Sequence, residues 1–173
     1  LPPPAFLLPA RTIVGASTRT GDEQRLIQAW ETLPSPRPRL LLAPRHLHRM
    51  DEVVDAANAH QVGLRSQGFQ PDDDIWIVDT HGELAGLMAS AHIVFIGGTF
   101  DTEIGGHSPA EAAAGGAHIV RGPHTFANVG AWNTVECTVV DSELSLAKAL
   151  HTLLEMPRPN TTEKSIDVTN IIE

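Results

Sequence analysis

The chain has 173 residues, 42% of them hydrophobic, and a formal net charge of −9. This length allows one ordinary domain with a substantial core and is too short for two large ones. The acidic balance argues against wrapping nucleic acid or docking broadly on anionic lipid, so an anionic ligand needs a locally arranged site. A single cysteine, Cys137, excludes an internal disulfide and fits a reducing compartment.

The first half of the chain alternates between predicted strands and helices. Its strands are short apolar runs, as expected for buried parallel strands, and each helix has an apolar face at helical spacing. The strands are predicted at residues 11–17, 38–44, 63–68 and 75–79, and the helices at 21–33 and 48–62. The inward-facing side chains are predicted to be Leu26, Ile27, Trp30 and Leu33 in the first helix, and Met50, Val53, Val54 and Ala57 in the second.

The second half continues the same alternation. Strands are predicted at residues 92–98, 117–122 and 136–141, and helices at 82–91, 108–116, 125–135 and 142–156. Gly115 and Gly116 are expected to end the helix that contains them, because glycine adopts the left-handed conformation common at helix ends.

This alternation predicts an α/β fold class, with a Rossmann-like parallel sheet, right-handed crossovers and helices on both faces. In such sheets a ligand binds at the carboxyl ends of the strands, where the crossovers leave in opposite directions. Polar clusters follow four of the predicted strands, namely "GASTRTG", "APRH", "VDTHGE" and "GGTFDTEIGGHSPAE". We therefore expect four loops to converge on one cleft.

The segment Ser108, Pro109, Ala110, Glu111 has the spacing of a capping box, with proline at the first helical position. A purely structural role explains that spacing. A functional role is equally open, since the amides at a helix start suit phosphate and the Glu111 carboxylate suits sugar hydroxyls. The glycine pairs 97–98 and 105–106 favour the functional role, because glycine lets the backbone approach a ligand closely. No GxGxxG follows the first strand, which disfavours a nicotinamide site.

Two further loops carry candidate ligand contacts. Arg45 follows the second strand, where an arginine is usually a solvated loop charge. Pro44 fixes the turn before it and so aims the guanidinium, which makes a bidentate phosphate contact a reasonable alternative. His81, Gly82 and Glu83 fit either a helix start with an acid in its first turn or a wall for a base or ribose.

Metal and hydrolase chemistry are not indicated. Nine histidines are present, but His46 and His48 have the wrong spacing for one helical face and no second cluster matches them. His107 is predicted to donate to a phosphate or carboxylate. No nucleophile-elbow pattern is found, and neither a metal nor a cofactor is predicted.

In these ordered motifs the chain resembles the C-terminal half of the bacterial 3-deoxy-D-manno-octulosonic acid (Kdo) transferases. The resemblance runs through "IVGASTRTGDEQ", "LLLAPRH", "HGELAGLMASAHIVFIGGTF" and "IGGHSPAEAAAGGAHIVRGPHTFANV". It implies a glycosyltransferase of the two-Rossmann (GT-B) fold that moves Kdo from CMP-Kdo to lipid A precursors in lipopolysaccharide biosynthesis. Glu103 and Glu111 also keep the seven-residue gap between glutamates found in several such enzymes.

The resemblance implies roles for named residues. The donor-binding residues would be Pro44, Arg45, His81, Gly82, Glu83, His107, Ser108, Pro109, Ala110 and Glu111. No catalytic residue would lie in this chain, because the family's general base and its membrane-associated acceptor site belong to a preceding N-terminal domain. Residues 1–10 are expected to be a linker from that domain, 11–156 the CMP-sugar-binding domain and 157–173 a C-terminal tail. The full-length protein would work at the cytoplasmic face of the inner membrane, and this fragment alone would be soluble and inactive.

Two departures from the family are visible. The family usually has Asn-Pro-Leu-Glu at 108–111, and the shorter Ser108 has less reach. The family's asparagine-phenylalanine pair is replaced near Asn128, which puts the role of that residue in doubt. Two alternatives remain, a UDP-sugar transferase or epimerase half of the same architecture, and a non-catalytic nucleotide-binding module.

Overall fold

The computed structural model describes residues 8–159. The strands of this part are β1 (Ile13–Thr18), β2 (Leu40–Pro44), β3 (Val62–Leu64), β4 (Ile75–Ile77), β5 (Ile93–Ile96), β6 (His118–Arg121) and β7 (Thr138–Val139). The helices are α1 (Asp22–Glu31), α2 (Met50–Ala56), α3 (Leu84–Met88), α4 (Ala110–Gly115), α5 (Val129–Trp132) and α6 (Glu143–Leu154). Short 3-10 helices occupy Leu47–Arg49, Arg65–Gln67 and Phe126–Asn128.

The strands form one parallel sheet in the order β3-β4-β2-β1-β5-β6-β7. This confirms the predicted α/β fold class. The chain leaves β1 toward β2 and later crosses to the other side of β1, where β5, β6 and β7 follow in order. The direction of the connections therefore reverses between β1 and β5, and in sheets of this type that reversal opens a crevice at the carboxyl edge.

A hydrophobic core lies on each face of the sheet, because successive strand residues point to opposite sides. In β5, Ile93 and Phe95 pack on one face, while Val94 and Ile96 pack on the other. One core is covered by α1, α2 and α6, and the other by α3, α4 and α5. The predicted inward faces of the first two helices are confirmed: all eight side chains belong to the first core or pack against it.

Most of the predicted elements are shorter in the structure than expected, and the third strand and the second helix are two examples. The third strand ends at Leu64, and residues 65–67 form a 3-10 turn. The second helix ends at Ala56, and the following loop is held by Asp74, whose carboxylate accepts a hydrogen bond from the Gln61 amide at 3.1 Å.

The predicted domain boundaries lie partly beyond the described residues, because 1–7 of the linker and 160–173 of the tail fall outside them. Leu8 is buried and its amide donates to the Ser90 hydroxyl at 3.2 Å. Arg158 donates to the carbonyl groups of Ala89, Ala91 and Gly115. The assignments of linker and tail stay predictions.

Candidate functional site

The polar loops that follow β1, β2 and β5 meet at the carboxyl edge of the sheet. The Arg45 amide donates to the carbonyl of Thr18 at 3.0 Å, which joins the loops after β2 and β1. The Gly97 amide donates to Ala16 at 2.8 Å, which holds the start of the loop after β5 against β1. These loops flank the point where the chain connections reverse, so the expected convergence is observed for them.

The glycine pairs let the long loop after β5 fold back on itself. Gly98, Gly105 and Gly106 have φ angles of +75°, +72° and +87°, a conformation that favours glycine. The Gly106 amide donates to the Gly98 carbonyl at 3.0 Å, and the His107 amide donates to Gly97 at 3.1 Å. A Cβ atom on Gly97 would collide with the Ser17 carbonyl. The close approach that the glycines permit is therefore between two segments of the chain itself.

The helix after this loop does not begin as predicted. Pro109 is the N-cap residue and α4 starts at Ala110, so proline is not at the first helical position. The Ser108 hydroxyl accepts from the Ala110 amide at 3.2 Å, and no capping box with Glu111 forms in the described chain. With only six residues, α4 is also a weaker dipole than a long helix at this point would be.

His107 is half-buried at the base of this loop. Its carbonyl accepts from the Trp132 indole at 3.1 Å, which fixes its backbone. The Nε2 atom is buried and has no hydrogen-bond partner within residues 8–159. Burial lowers the pKa of His107, and the positive charges of Arg19 and Arg45 lower it further. In a neutral imidazole one ring nitrogen donates and the other accepts, so the tautomer decides which of the two roles Nε2 of His107 takes.

Arg19 and Arg45 are the two arginines at this edge that could attract an anionic ligand. Arg45 is exposed, Arg19 is half-buried, and both act electrostatically on His107. Across residues 8–159, neither guanidinium makes an ion pair or donates a hydrogen bond to the protein. The other arginines in that range all contact a protein carboxylate or carbonyl, as Arg49 does with Glu23 at 2.7 Å. A chain with a net charge of −9 thus holds two neighbouring arginines without an ion pair at this edge, and the carboxylate of Asp101 acts on Arg19 only through a longer-range electrostatic interaction.

The loop after β4 places the predicted residues His81, Gly82 and Glu83 before α3. His81 and Gly82 are exposed, and Gly82 has a φ of +83° with open space around it. The Glu83 carboxylate accepts from Arg65 at 3.0 Å and from the Thr80 hydroxyl at 2.6 Å. A ribose contact would have to share this carboxylate with Arg65. The assignment of this loop to the donor stays a prediction.

Glu111 and Glu103 are both exposed, Glu111 in the first turn of α4 and Glu103 in the loop before it. Their contact with a sugar stays a prediction. Asn128 has a structural contact that its sequence neighbours did not reveal: its side-chain amide donates to the Gly106 carbonyl at 2.8 Å. It thereby ties the 3-10 helix Phe126–Asn128 to the glycine loop.

Three residues at this edge escaped the sequence-based reasoning. In the sequence, Arg19 is only one member of the polar cluster after the first strand. In the structure it follows β1 directly, beside Arg45, which follows β2. Asp22 looked like an ordinary acid in a first helical turn, but its buried carboxylate accepts from the amides of Arg19 and Gly98. Arg65 was assigned to a strand, and no local signal pointed to its pair with Glu83.

No group of three or more His, Cys, Asp and Glu side chains in residues 8–159 is arranged to hold a metal ion. No helix within the same residues has the length and apolar character needed to cross a membrane.

The chain is similar to several known proteins. No family model matches the sequence. A 3-deoxy-D-manno-octulosonic acid transferase from Bordetella pertussis is 39% identical over 123 residues, which cover 64% of this chain and 28% of that protein. A probable mitochondrial 3-deoxy-D-manno-octulosonic acid transferase from Arabidopsis thaliana is 30% identical over 157 residues, covering 83% of this chain and 35% of that protein. The chain thus spans about a third of the length of these curated relatives.

Solved structures show the same fold. The C-terminal CMP-Kdo binding domain of WaaA from Acinetobacter baumannii superposes with a TM-score of 0.78 at 23% identity, covering 90% of this chain and 84% of that one. The C-terminal domain of a group 1 glycosyl transferase (LpcC) from Francisella tularensis gives a TM-score of 0.53 at 19% identity, covering 86% and 78%. The fold of the chain is therefore that of the C-terminal domain of GT-B glycosyltransferases. Together with the sequence similarity, this confirms the resemblance: the chain is a relative, over most of its length, of the 3-deoxy-D-manno-octulosonic acid transferases.

Proposed function

We propose that this chain is the donor-binding part of a glycosyltransferase that moves Kdo from CMP-Kdo to a lipid A precursor. The observation that carries the proposal is the pair Arg19 and Arg45, which lack a protein acceptor within residues 8–159 and lie where the sheet connections reverse. The relatives support the substrate class, since they are transferases of this sugar. They do not favour a UDP-sugar enzyme or a non-catalytic module.

Arg45 is assigned to the phosphate of the CMP moiety. The turn after Pro44 and the hydrogen bond from the Arg45 amide to the Thr18 carbonyl hold the Arg45 backbone beside the end of β1, on the β2 side of the reversal point. A guanidinium can donate two parallel hydrogen bonds to one phosphate. His107, Ser108, Pro109, Ala110 and Glu111 form the neighbouring wall in this proposal, and His81, Gly82 and Glu83 form the wall on the β4 side.

The roles of the individual wall residues differ from the initial expectation. The Ala110 amide already donates to Ser108, so α4 has fewer amides available for a phosphate than the sequence suggested. The Glu111 carboxylate has no partner in the described chain and is the better of the two glutamates for accepting hydrogen bonds from ribose hydroxyls. Glu83 would orient the same sugar only while keeping its contacts with Arg65 and Thr80.

The proposed reaction is a substitution at the anomeric carbon of Kdo. A base removes a proton from an acceptor hydroxyl, the hydroxyl oxygen bonds to the anomeric carbon, and the bond from that carbon to the phosphate oxygen breaks. The electron pair leaves with CMP, whose charge is stabilised by preorganised donors such as Arg45. We assign the base and the acceptor site to a preceding N-terminal domain at the cytoplasmic face of the inner membrane. The chain alone is then inactive in transfer.

Isothermal titration of the 173-residue chain with CMP tests this proposal. We expect the chain to bind CMP, and we expect UDP to be a poor competitor for the same site. Arg45→Ala should weaken CMP binding by roughly tenfold or more, because a hydrogen bond to a charged group contributes about 1.5–3 kcal/mol. Lys148→Ala is the matched control, since it removes an exposed cation from α6, away from the loops. Unchanged CMP affinity in Arg45→Ala, or absence of CMP binding in the parent chain, would contradict the proposal.

A further inference from the structure

The two arginines at the carboxyl edge exceed what a single phosphate requires. In a CMP-sugar the phosphate is a diester with one negative charge, and one guanidinium can bind it in a bidentate manner. Neither Arg19 nor Arg45 makes an ion pair or a side-chain hydrogen bond within residues 8–159, and the Asp101 carboxylate acts on Arg19 only at longer range. Arg25, by contrast, lies near Asp22 and Glu143. Two unpaired guanidinium groups on one side of a cleft repel each other unless two anionic groups are bound there.

The backbone positions of the two arginines keep them close together. Thr18 pairs with Pro44 in the register of β1 and β2, so Arg19 and Arg45 are the next residues along neighbouring strands. The Thr18 carbonyl accepts from the Arg45 amide at 3.0 Å, and the Asp22 carboxylate accepts from the Arg19 amide at 2.9 Å. Both arginine backbones are therefore fixed, and both guanidinium groups act on the same His107 ring.

Arg19 also differs from Arg45 in its surroundings. Asp22 connects its loop directly to Gly98, on the β5 side of the reversal point, whereas Arg45 stands on the β2 side. An anion contacted by Arg19 thus lies nearer the glycine loop, and one contacted by Arg45 lies nearer β2. The positions of the two arginines therefore suit a ligand that carries two separate anionic groups close to each other.

An acid sugar joined to CMP has this charge pattern. Kdo is a keto acid sugar, so its carboxylate is attached to the same anomeric carbon that holds the phosphate oxygen. Since the proposed function assigns Arg45 to the phosphate, the carboxylate is left for Arg19. Resting on that proposed function, we infer that Arg19 binds the carboxylate of the donor sugar and selects CMP-linked keto acid sugars over CMP esters without a carboxylate.

The experiment compares two ligands that differ in the carboxylate. One is freshly prepared CMP-Kdo, and the other is the methyl ester of CMP, a phosphodiester with one negative charge and no carboxylate. Their affinities are measured by titration calorimetry with the 173-residue chain and its Arg19→Ala, Arg45→Ala and Lys148→Ala variants. Arg19→Gln is added to keep the length of the side chain, and circular dichroism shows whether each variant is folded.

We expect Arg19→Ala and Arg19→Gln to weaken CMP-Kdo binding by roughly tenfold or more while changing the affinity for the methyl ester by less than about twofold. Arg45→Ala should weaken both ligands, and Lys148→Ala neither. Equal losses for both ligands in the Arg19 variants, or no loss for either, would overturn the inference and leave the proposed function standing. If the parent chain binds neither ligand, the proposed function fails and the inference fails with it.

Discussion

The buried carboxylate of Asp22 accepts a hydrogen bond from the amide of Gly98 at 3.0 Å, across 76 residues of sequence. The same oxygen, Oδ2, accepts from the Arg19 amide at 2.9 Å. One side chain thereby sets the distance between the loop that carries Arg19 and the glycine loop that carries His107. These loops border the reversal point of the sheet, so Asp22 positions the candidate site without facing a ligand itself.

Asp22→Ala and Asp22→Asn should therefore behave differently. The alanine leaves two amides without an acceptor, and each unsatisfied buried donor costs about 1–3 kcal/mol. We expect a clear loss in the free energy of unfolding and weaker CMP binding. The asparagine keeps an oxygen where both amides can donate, so it should retain most of the affinity. Urea denaturation and calorimetry check this, and equal CMP affinities in the two variants would show that the loop spacing does not depend on this contact.

The protonation of Asp22 should also give stability a pH dependence. Burial raises the pKa of Asp22 to about 6 from 3.8, although the two amide hydrogen bonds act in the opposite direction. The folded chain then binds the proton more tightly than the unfolded chain, so stability is greatest below pH 4 as far as this group is concerned. It decreases as the pH rises to 6, by about 2–3 kcal/mol in total.

The difference between the parent chain and Asp22→Asn isolates this contribution, because other carboxyl groups titrate in the same range. We expect the free energy of unfolding of the parent chain, relative to that of Asp22→Asn, to fall between pH 4 and 6 and to stay constant above pH 7. Parallel curves for the two proteins across that range would mean that Asp22 has an ordinary pKa in the folded state.

The fold was predictable because its determinants are local. Apolar runs such as Leu40, Leu41 and Leu42 are buried on both faces of a parallel sheet, and the periodic apolar face of α1 matches its packing. Polar residues at the strand ends then had to share one edge, which located Arg45 and His107. The order of β3 and β4 could not be obtained in this way, because β4 inserts between β3 and β2 through non-local pairing.

The details of the site depended on contacts between distant segments. From its sequence position, Asp22 is an acid in the first turn of α1, where a carboxylate interacts favourably with the helix dipole. Its hydrogen bond with the Gly98 amide is formed only because the fold brings that amide close. Glu83 seemed available for a ribose, whereas Arg65 from 18 positions earlier occupies it. The glycine pairs indicated close approach correctly, but the sequence did not reveal that the approaching group is another part of the chain, the Ser17 carbonyl.

A substitution at Gly98 tests whether the glycine loop can accommodate a side chain. Its φ is +75°, and a Cβ there would lie 2.8 Å from Ile104 and 3.2 Å from His107. Gly98→Ala should therefore destabilise the chain by more than about 1 kcal/mol and displace the His107 ring. Gly86→Ala is the matched control: it lies in α3 with nothing within 4 Å of the added Cβ, so about 0.5–1 kcal/mol of stabilisation is expected.

Thermal unfolding and the NMR signals of His107 separate these outcomes. A Gly98→Ala variant with the stability of the parent chain and an unshifted His107 resonance would mean that the loop can relax around a side chain. The close packing described for this loop would then not be required for its conformation.

The buried ion pair beneath the site supports the end of β1. Arg49 donates to Glu23 at 2.7 Å and to the half-exposed Glu52 at 3.0 Å, and it also donates to the Thr18 carbonyl at 3.3 Å. Arg49→Met would leave the Glu23 carboxylate buried without a partner, which costs about 3–5 kcal/mol. Glu52→Ala removes only the partner with an exposed fraction of 50%, so a loss below about 1 kcal/mol is expected.

A double variant distinguishes loss of pairing from loss of packing. Arg49→Met with Glu23→Leu removes both buried charges, and apolar side chains of similar volume can replace a buried ion pair with little net cost. We expect urea denaturation to show that the double variant recovers much of the stability lost in Arg49→Met. The alternative result is a stability loss in the double variant that equals the sum of the losses in Arg49→Met and in Glu23→Leu alone. Arg49 would then act mainly through its hydrogen bond to the Thr18 carbonyl, and the conformation of the Arg19 loop would depend on that bond.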